Sequence, residues 1–209
     1  MRNVMTTTLF TSTRNASSIR EHEIDLRPQM ISPLKQLLRQ LANVIESLSD
    51  SQYTQKPVGV IESSVGGHVR HCLDHVQSLL SAVKSGHLDY DHRQRGTPVE
   101  TLRFSAIQLI EELIQSLEDL PRFVFIRPLT VSVSMSSDDE PVSVLSSVGR
   151  EMAYVLAHTI HHNAIVSAMV KTLGGEVPER FGYAPSTLKN IKNMEPRCAP
   201  SASYERAAS

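Results

Sequence analysis

Apolar residues recur at intervals of three and four over four stretches of the chain, the period of a helix buried along one face. From about Pro33 to Leu48 the set is Leu34, Leu37, Leu38, Leu41, Val44, Ile45 and Leu48. Ser32-Pro33 supplies a start there, because proline at the first helical position gives up an N–H that has no partner anyway. A second helix is expected from about Ser64 to Lys84, with Val65, Val69, Cys72, Val76, Leu79, Leu80 and Val83 inward and Gly86 as its stop. Its Gly66-Gly67 pair costs helix stability, and close approach of another backbone or a ligand is one reason for it. Thr97-Pro98-Val99-Glu100 reads as N-cap, first-turn proline and capping-box acid of a third helix running to Pro121. A fourth runs from about Val148 to Leu173, capped by Ser147 and ended by Gly174-Gly175.

Between the third and fourth helices the period changes to two. Leu129, Val131 and Val133 alternate with polar residues, as do Val142 and Val144 beyond Asp138-Asp139-Glu140, the pattern of a β-hairpin around an acidic turn. A short turn follows Pro185. The expected fold is all-α: a four-helix bundle over residues 28–194, with a short β-hairpin between helices 3 and 4. Residues 1–27 read as a disordered leader, although Ser, Thr and Arg without acid before Glu21 also resemble a weak transit peptide. Residues 195–209 read as a disordered tail.

A length of 209 residues is ample for one core, and a net charge of -1 points to neither nucleic acid nor a membrane surface as partner. No apolar run approaches the ~20 residues that span a bilayer. Two cysteines, Cys72 and Cys198, are too few for a disulfide framework, so a cytoplasmic location is expected. Cys72 reads as small core filler.

The chemistry lies in the histidines. Six of nine fall in two clusters, His68, His71 and His75 on the second helix and His158, His161 and His162 on the fourth. Positions i, i+3 and i+4 share a helix face, and imidazole is the commonest protein ligand for zinc, nickel, copper and iron. On a helical wheel His158 and His162 lie about 40° apart, inside the apolar arc, while the second helix's histidines border its apolar stripe. His71, His158 and His162 are therefore the leading ligand set, with His68, His75 and His161 as substitutes or supporting groups. The plain alternative is a set of partly buried histidines, each hydrogen-bonded to a neighbour. Three neutral imidazoles leave an ion its full charge and an open position, the pattern of a catalytic site. Glu151, one heptad before His158, is a candidate acid, base or histidine-orienting group; a solvated first-turn carboxylate is the competing reading.

The segments Ser64-Val65-Gly66-Gly67-His68-Val69-Arg70-His71-Cys72-Leu73-Asp74-His75 and His158-Thr159-Ile160-His161-His162 resemble the two histidine motifs of the DinB/YfiT-like family, over roughly Ile31 to Leu173. The resemblance implies a four-helix bundle, often dimeric, that binds nickel or zinc through three histidines on two helices; His71, His158 and His162 match those positions. His75 is displaced by one from a further histidine of some relatives. Asp89 to Gly96 resembles an uncharacterised bacterial branch, where Arg93 or Arg95 would pair with a substrate carboxylate or else belong to a solvated loop. The implied activity is thiol transfer, isomerisation or hydrolysis of a small electrophile, with a low-molecular-weight thiol such as mycothiol or bacillithiol as co-substrate. The alternatives are a metal-binding stress or sensor module without turnover, and a structural bundle with no metal.

Overall fold

The computed structural model describes residues 25–59, 61–91 and 96–194. Residues 1–24 of the leader, the tail, Arg93, Arg95 and Cys198 lie outside the described residues. Four long helices form the body: α1 (Arg27–Ser47), α3 (Val65–Ser85), α4 (Arg103–Glu118) and α5 (Val148–Thr172). A short α2 (Asp50–Thr54) precedes α3, and α6 (Pro185–Met194) closes the described chain. α1 and α3 each pack against both α4 and α5, so the four make a closed ring. Leu34, Leu38, Leu41 and Ile45 of α1 meet Leu73, Val76 and Leu79 of α3, Ile110 and Leu117 of α4, and Val155 and Val166 of α5 in one core. Among the described residues no helix is long and apolar enough to cross a membrane.

Two helix starts differ from the sequence expectation, and one short helix was not part of it. α1 starts at Arg27, six residues early, and Pro33 lies inside it. Pro28 occupies the first turn instead, and the Asp25 carboxylate accepts the Arg27 backbone N–H at 3.1 Å. The capping box at Thr97 and Glu100 does not form: Pro98–Glu100 is an isolated 3-10 turn, and α4 begins at Arg103. Arg70 on α3 draws the Glu100 carboxylate into an ion pair, and the same oxygen accepts the backbone N–H of Gly96 at 3.2 Å rather than that of Thr97. A capping box does form at Ser49 and Gln52, opening α2.

The hairpin is present as β2 (Pro128–Val133) and β3 (Val142–Ser147), antiparallel, with Val131 opposite Val144. It gains a third strand, β1 (His87–Asp89), which runs parallel to β2 with Leu88 beside Val131. A three-residue strand is too short to show a period of its own. Gly86, in left-handed conformation (φ 77°), ends α3 and turns the chain directly into β1. At the far edge β3 runs without a loop into α5, where Ser147 caps the helix by accepting from the Arg150 N–H. The sheet therefore links the end of α3 to the start of α5.

The Gly66 question resolves into backbone contact. A Cβ on Gly66 would collide with the carbonyl oxygen of Glu100 and with the ring of Tyr53, whose hydroxyl donates to the Val99 carbonyl at 2.7 Å. The first turn of α3 is thus pressed against the 3-10 turn, and the Arg70–Glu100 ion pair fastens the same contact. Gly66→Ala is expected to cost about 1–3 kcal/mol through overpacking, offset only slightly by better helix propensity. A lowered midpoint of urea unfolding at unchanged slope measures this.

Candidate metal centre

α3 and α5 lie side by side and antiparallel, so histidines rising along one helix meet histidines descending along the other. His68 faces His162 with ring centroids 5.3 Å apart, His71 lies 4.6 Å from His162 and 4.9 Å from His158, and His75 stacks on His158 at 3.8 Å. His158 and His162 are 4.4 Å apart on the same face of α5. Five imidazoles thus share one pocket. His161 sits at its edge, exposed, 5.3 Å from His162.

Within that pocket the ligand nitrogens of His71, His75 and His158 all lie within 4.8 Å of one another. A tetrahedral ion with Zn–N bonds of about 2.0–2.1 Å holds its nitrogens about 3.4 Å apart, so the three rings need only small side-chain rotations to share one. The donor set fits a divalent transition metal. His71 and His158 belong to both this group and the sequence-predicted set. The third member is His75, while His162 turns its Nδ1 toward His68 at 3.2 Å. Helix pairing decides this: His75 is level with His158, and His68 with His162.

His75 is also the best prepared of the three. Its Nδ1–H donates to the His71 carbonyl at 3.0 Å, which fixes the tautomer and leaves the Nε2 lone pair available. Its ring stacks on Tyr90 at 4.8 Å, with an interplanar angle of 13°. The Tyr90 hydroxyl in turn donates to Oε2 of Glu151 at 3.1 Å. Glu151 is buried, and its Oε1 accepts from the Ser146 hydroxyl and from Arg150 at 3.0 Å. The carboxylate is therefore not the solvated first-turn group. Both oxygens are engaged, and it reaches the histidines through the ring it anchors. Burial and the adjacent carboxylate push the Tyr90 phenol pKa up, so it remains a donor.

Tyr90 and Tyr154 are the residues that sequence reasoning missed. Tyr154 lies 5.8 Å from His158 and 5.2 Å from Tyr90, with the Arg150 guanidinium 5.6 Å over its ring. Its signal was present, since Tyr154, His158 and His162 repeat every four residues along one face of α5. The two tyrosines separate the histidines from a cavity of about 410 Å³ bounded by Val133, Val144, Ser146 and Arg150. That volume suits a small molecule. Cys72 is inert filler: burial pushes its thiol up to about 12.

A compact helical bundle with a polyhistidine pocket between two antiparallel helices is the class that fold and site define. Residues 34–166 match the DinB superfamily, and the chain belongs to it. Its fold is similar to that of a DinB-like protein (YjoA) from Bacillus subtilis, with a TM-score of 0.54 and 19% identity over 73% of this chain and 98% of that one. A 108-residue stretch is 39% identical to FK506-binding protein 5 of the fungus Rhizopus delemar, covering 51% of this chain and 28% of that much longer protein.

Burial also sets the charge state of the pocket. Desolvation lowers His75 to about 4 and, together with the neighbouring histidines, lowers His162 to about 3; His68 is lowered too. A free imidazole titrates at 6.5. Below that pH the unfolded chain takes up protons that the folded chain refuses, so stability is complete above 6.5 and falls as pH drops toward 4. The metal-free protein should show a Tm that declines between pH 7 and 4.5. A flat Tm across this window would show that the imidazoles accept protons without unfolding.

Proposed function

We propose that this protein is a metal-dependent enzyme that uses His71, His75 and His158 to hold a divalent nickel or zinc ion. The single observation that carries this reading is the meeting of three imidazole donors from two helices within 4.8 Å. Such an ion supplies Lewis acidity, lowering the pKa of a coordinated water or thiol toward ~7. Around it, burial holds His75 neutral, and Tyr90 and Glu151 set the plane of its ring. The cavity beyond the tyrosines admits a small electrophile, and Arg150 at its wall suits a substrate that carries an anionic group. The reaction is transfer to, isomerisation of, or hydrolysis of that electrophile, with a low-molecular-weight thiol as co-substrate for the first two. A homodimer is proposed on family resemblance alone.

Untagged protein analysed by elemental mass spectrometry should carry about one tightly held nickel or zinc per chain, absent from a His71→Ala/His158→Ala variant. Metal-free wild type that stays folded and cannot be reconstituted would leave the structural bundle as the better reading. The loaded protein should then consume a low-molecular-weight thiol in the presence of small electrophiles. Tight metal binding with no turnover across thiol-transfer and hydrolase screens would favour a sensor module. The orienting chain has its own test: Glu151→Gln or Tyr90→Phe should weaken metal affinity about 10–100-fold while leaving the bundle folded. Equal affinity would show that the Glu151–Tyr90 bond serves the sheet rather than the metal.

A further inference from the structure

Three donors account for one ion, yet the same pocket also holds His68 and His162. These two rings face each other with Nδ1 atoms 3.2 Å apart and an interplanar angle of 32°. Two facing imidazole nitrogens satisfy one another only through a single shared proton, one ring donating and the other accepting. That arrangement does not complete His68. Its other nitrogen, Nε2, is buried and has no hydrogen-bond partner among the described residues. A cation on the two Nδ1 atoms does not reach that nitrogen, so it is the facing Nδ1 pair that marks the site. The observed spacing is also close to the roughly 3.3–3.4 Å that separates two nitrogens on one tetrahedral ion.

We propose that His68 and His162 hold a second divalent cation through their Nδ1 atoms, making the pocket a two-ion centre. In this state both rings keep their single proton on Nε2, so replacing the shared proton by the cation needs only a change of tautomer. His162 lies within 4.6 Å of both His71 and His158, which makes the two cations close neighbours. Paired cations stabilise the attacking and leaving oxygens of one reaction together, a task that a single ion performs less well. The second site has two imidazoles, with exposed His161 beside His162 and solvent to complete it, against three imidazoles at the first. It is therefore the weaker of the two. It shares the pocket with the His71, His75 and His158 site but does not depend on how that site is used.

Chelator-stripped, untagged protein titrated with Co(II) reads the stoichiometry directly by calorimetry and elemental analysis. Two Co(II) per chain are expected, one retained through dialysis and one bound more weakly. His68→Gln should reduce the count from two to one and leave the tight ion in place, while His75→Ala should remove the tight ion. In the unmodified protein, the second equivalent should suppress the electron paramagnetic resonance signal of the first through magnetic coupling, a readout that needs no variant to fold. One ion per chain, unaffected by His68→Gln, would overturn the two-ion centre and leave the proposed function standing. A single ion lost in His68→Gln would also overturn it, making His68 a ligand of one site. Failure to bind any Co(II) would overturn both readings.

Discussion

The antiparallel contact between α3 and α5 is the constraint on which the rest of the site depends. It is held by apolar residues on either side of the histidines, Val69, Cys72 and Val76 on α3 and Val155, Val166 and Met169 on α5, all buried. Because one helix descends as the other rises, the register of that contact sets which imidazoles are level. A shift by one helical turn would place His71 opposite a different partner and separate His75 from His158. The histidines do not create this register. They inherit it from the core, and from the sheet that joins the end of α3 to the start of α5.

The helices were legible because a period of three and four survives over twenty residues. Ser64, Gly86 and Ser147 mark their ends in the structure as they do in the sequence. What local reading got wrong was decided by distant partners. Thr97 and Glu100 have the residue types of a capping box, but the Glu100 carboxylate is held by a charged hydrogen bond from Arg70 and by the Gly96 N–H instead of the Thr97 N–H. β1 exists only because β2 offers it a ladder. The six clustered histidines were visible at once, and His71 and His158, which the helical wheel selected, both lie in the group whose nitrogens gather within 4.8 Å. A wheel describes one helix, however, and carries no information on the height at which two helices meet. The gathering of His75 rather than His162 with those two is of that kind, as is the stacking of Tyr90 on His75 from the segment after β1.

Buried neutral imidazoles such as His75 and His162 are costly to maintain. Both rings forfeit hydration, and for His75 the Coulombic pull of the Asp91 carboxylate does not outweigh that loss. Among the described residues, the buried carboxylate of Glu151 is held away from the rings by Tyr90, Ser146 and Arg150. An ordinary core would fill this space with Leu or Val at no such cost. The nitrogens are thus kept as lone-pair donors, which suits a dication better than a proton: the dication's larger charge and several simultaneous bonds repay desolvation that one proton cannot.

Glu151 also joins the bundle to the sheet. It starts α5, accepts from Ser146 at the end of β3, and through Tyr90 reaches the segment that follows β1. Movement of the sheet on filling of the adjacent cavity would therefore be felt at the Tyr90 ring, and Tyr90 lies flat against His75. A side chain stacked on a ligand imidazole constrains the ring's rotation, and rotation is the freedom that distinguishes the loosely gathered triad from one closed on an ion. On the proposed function, occupancy of the cavity and the geometry of the histidines are in this way linked through one hydrogen bond and one stack. The linkage also explains why a carboxylate so well placed for acid–base chemistry has both its oxygens occupied.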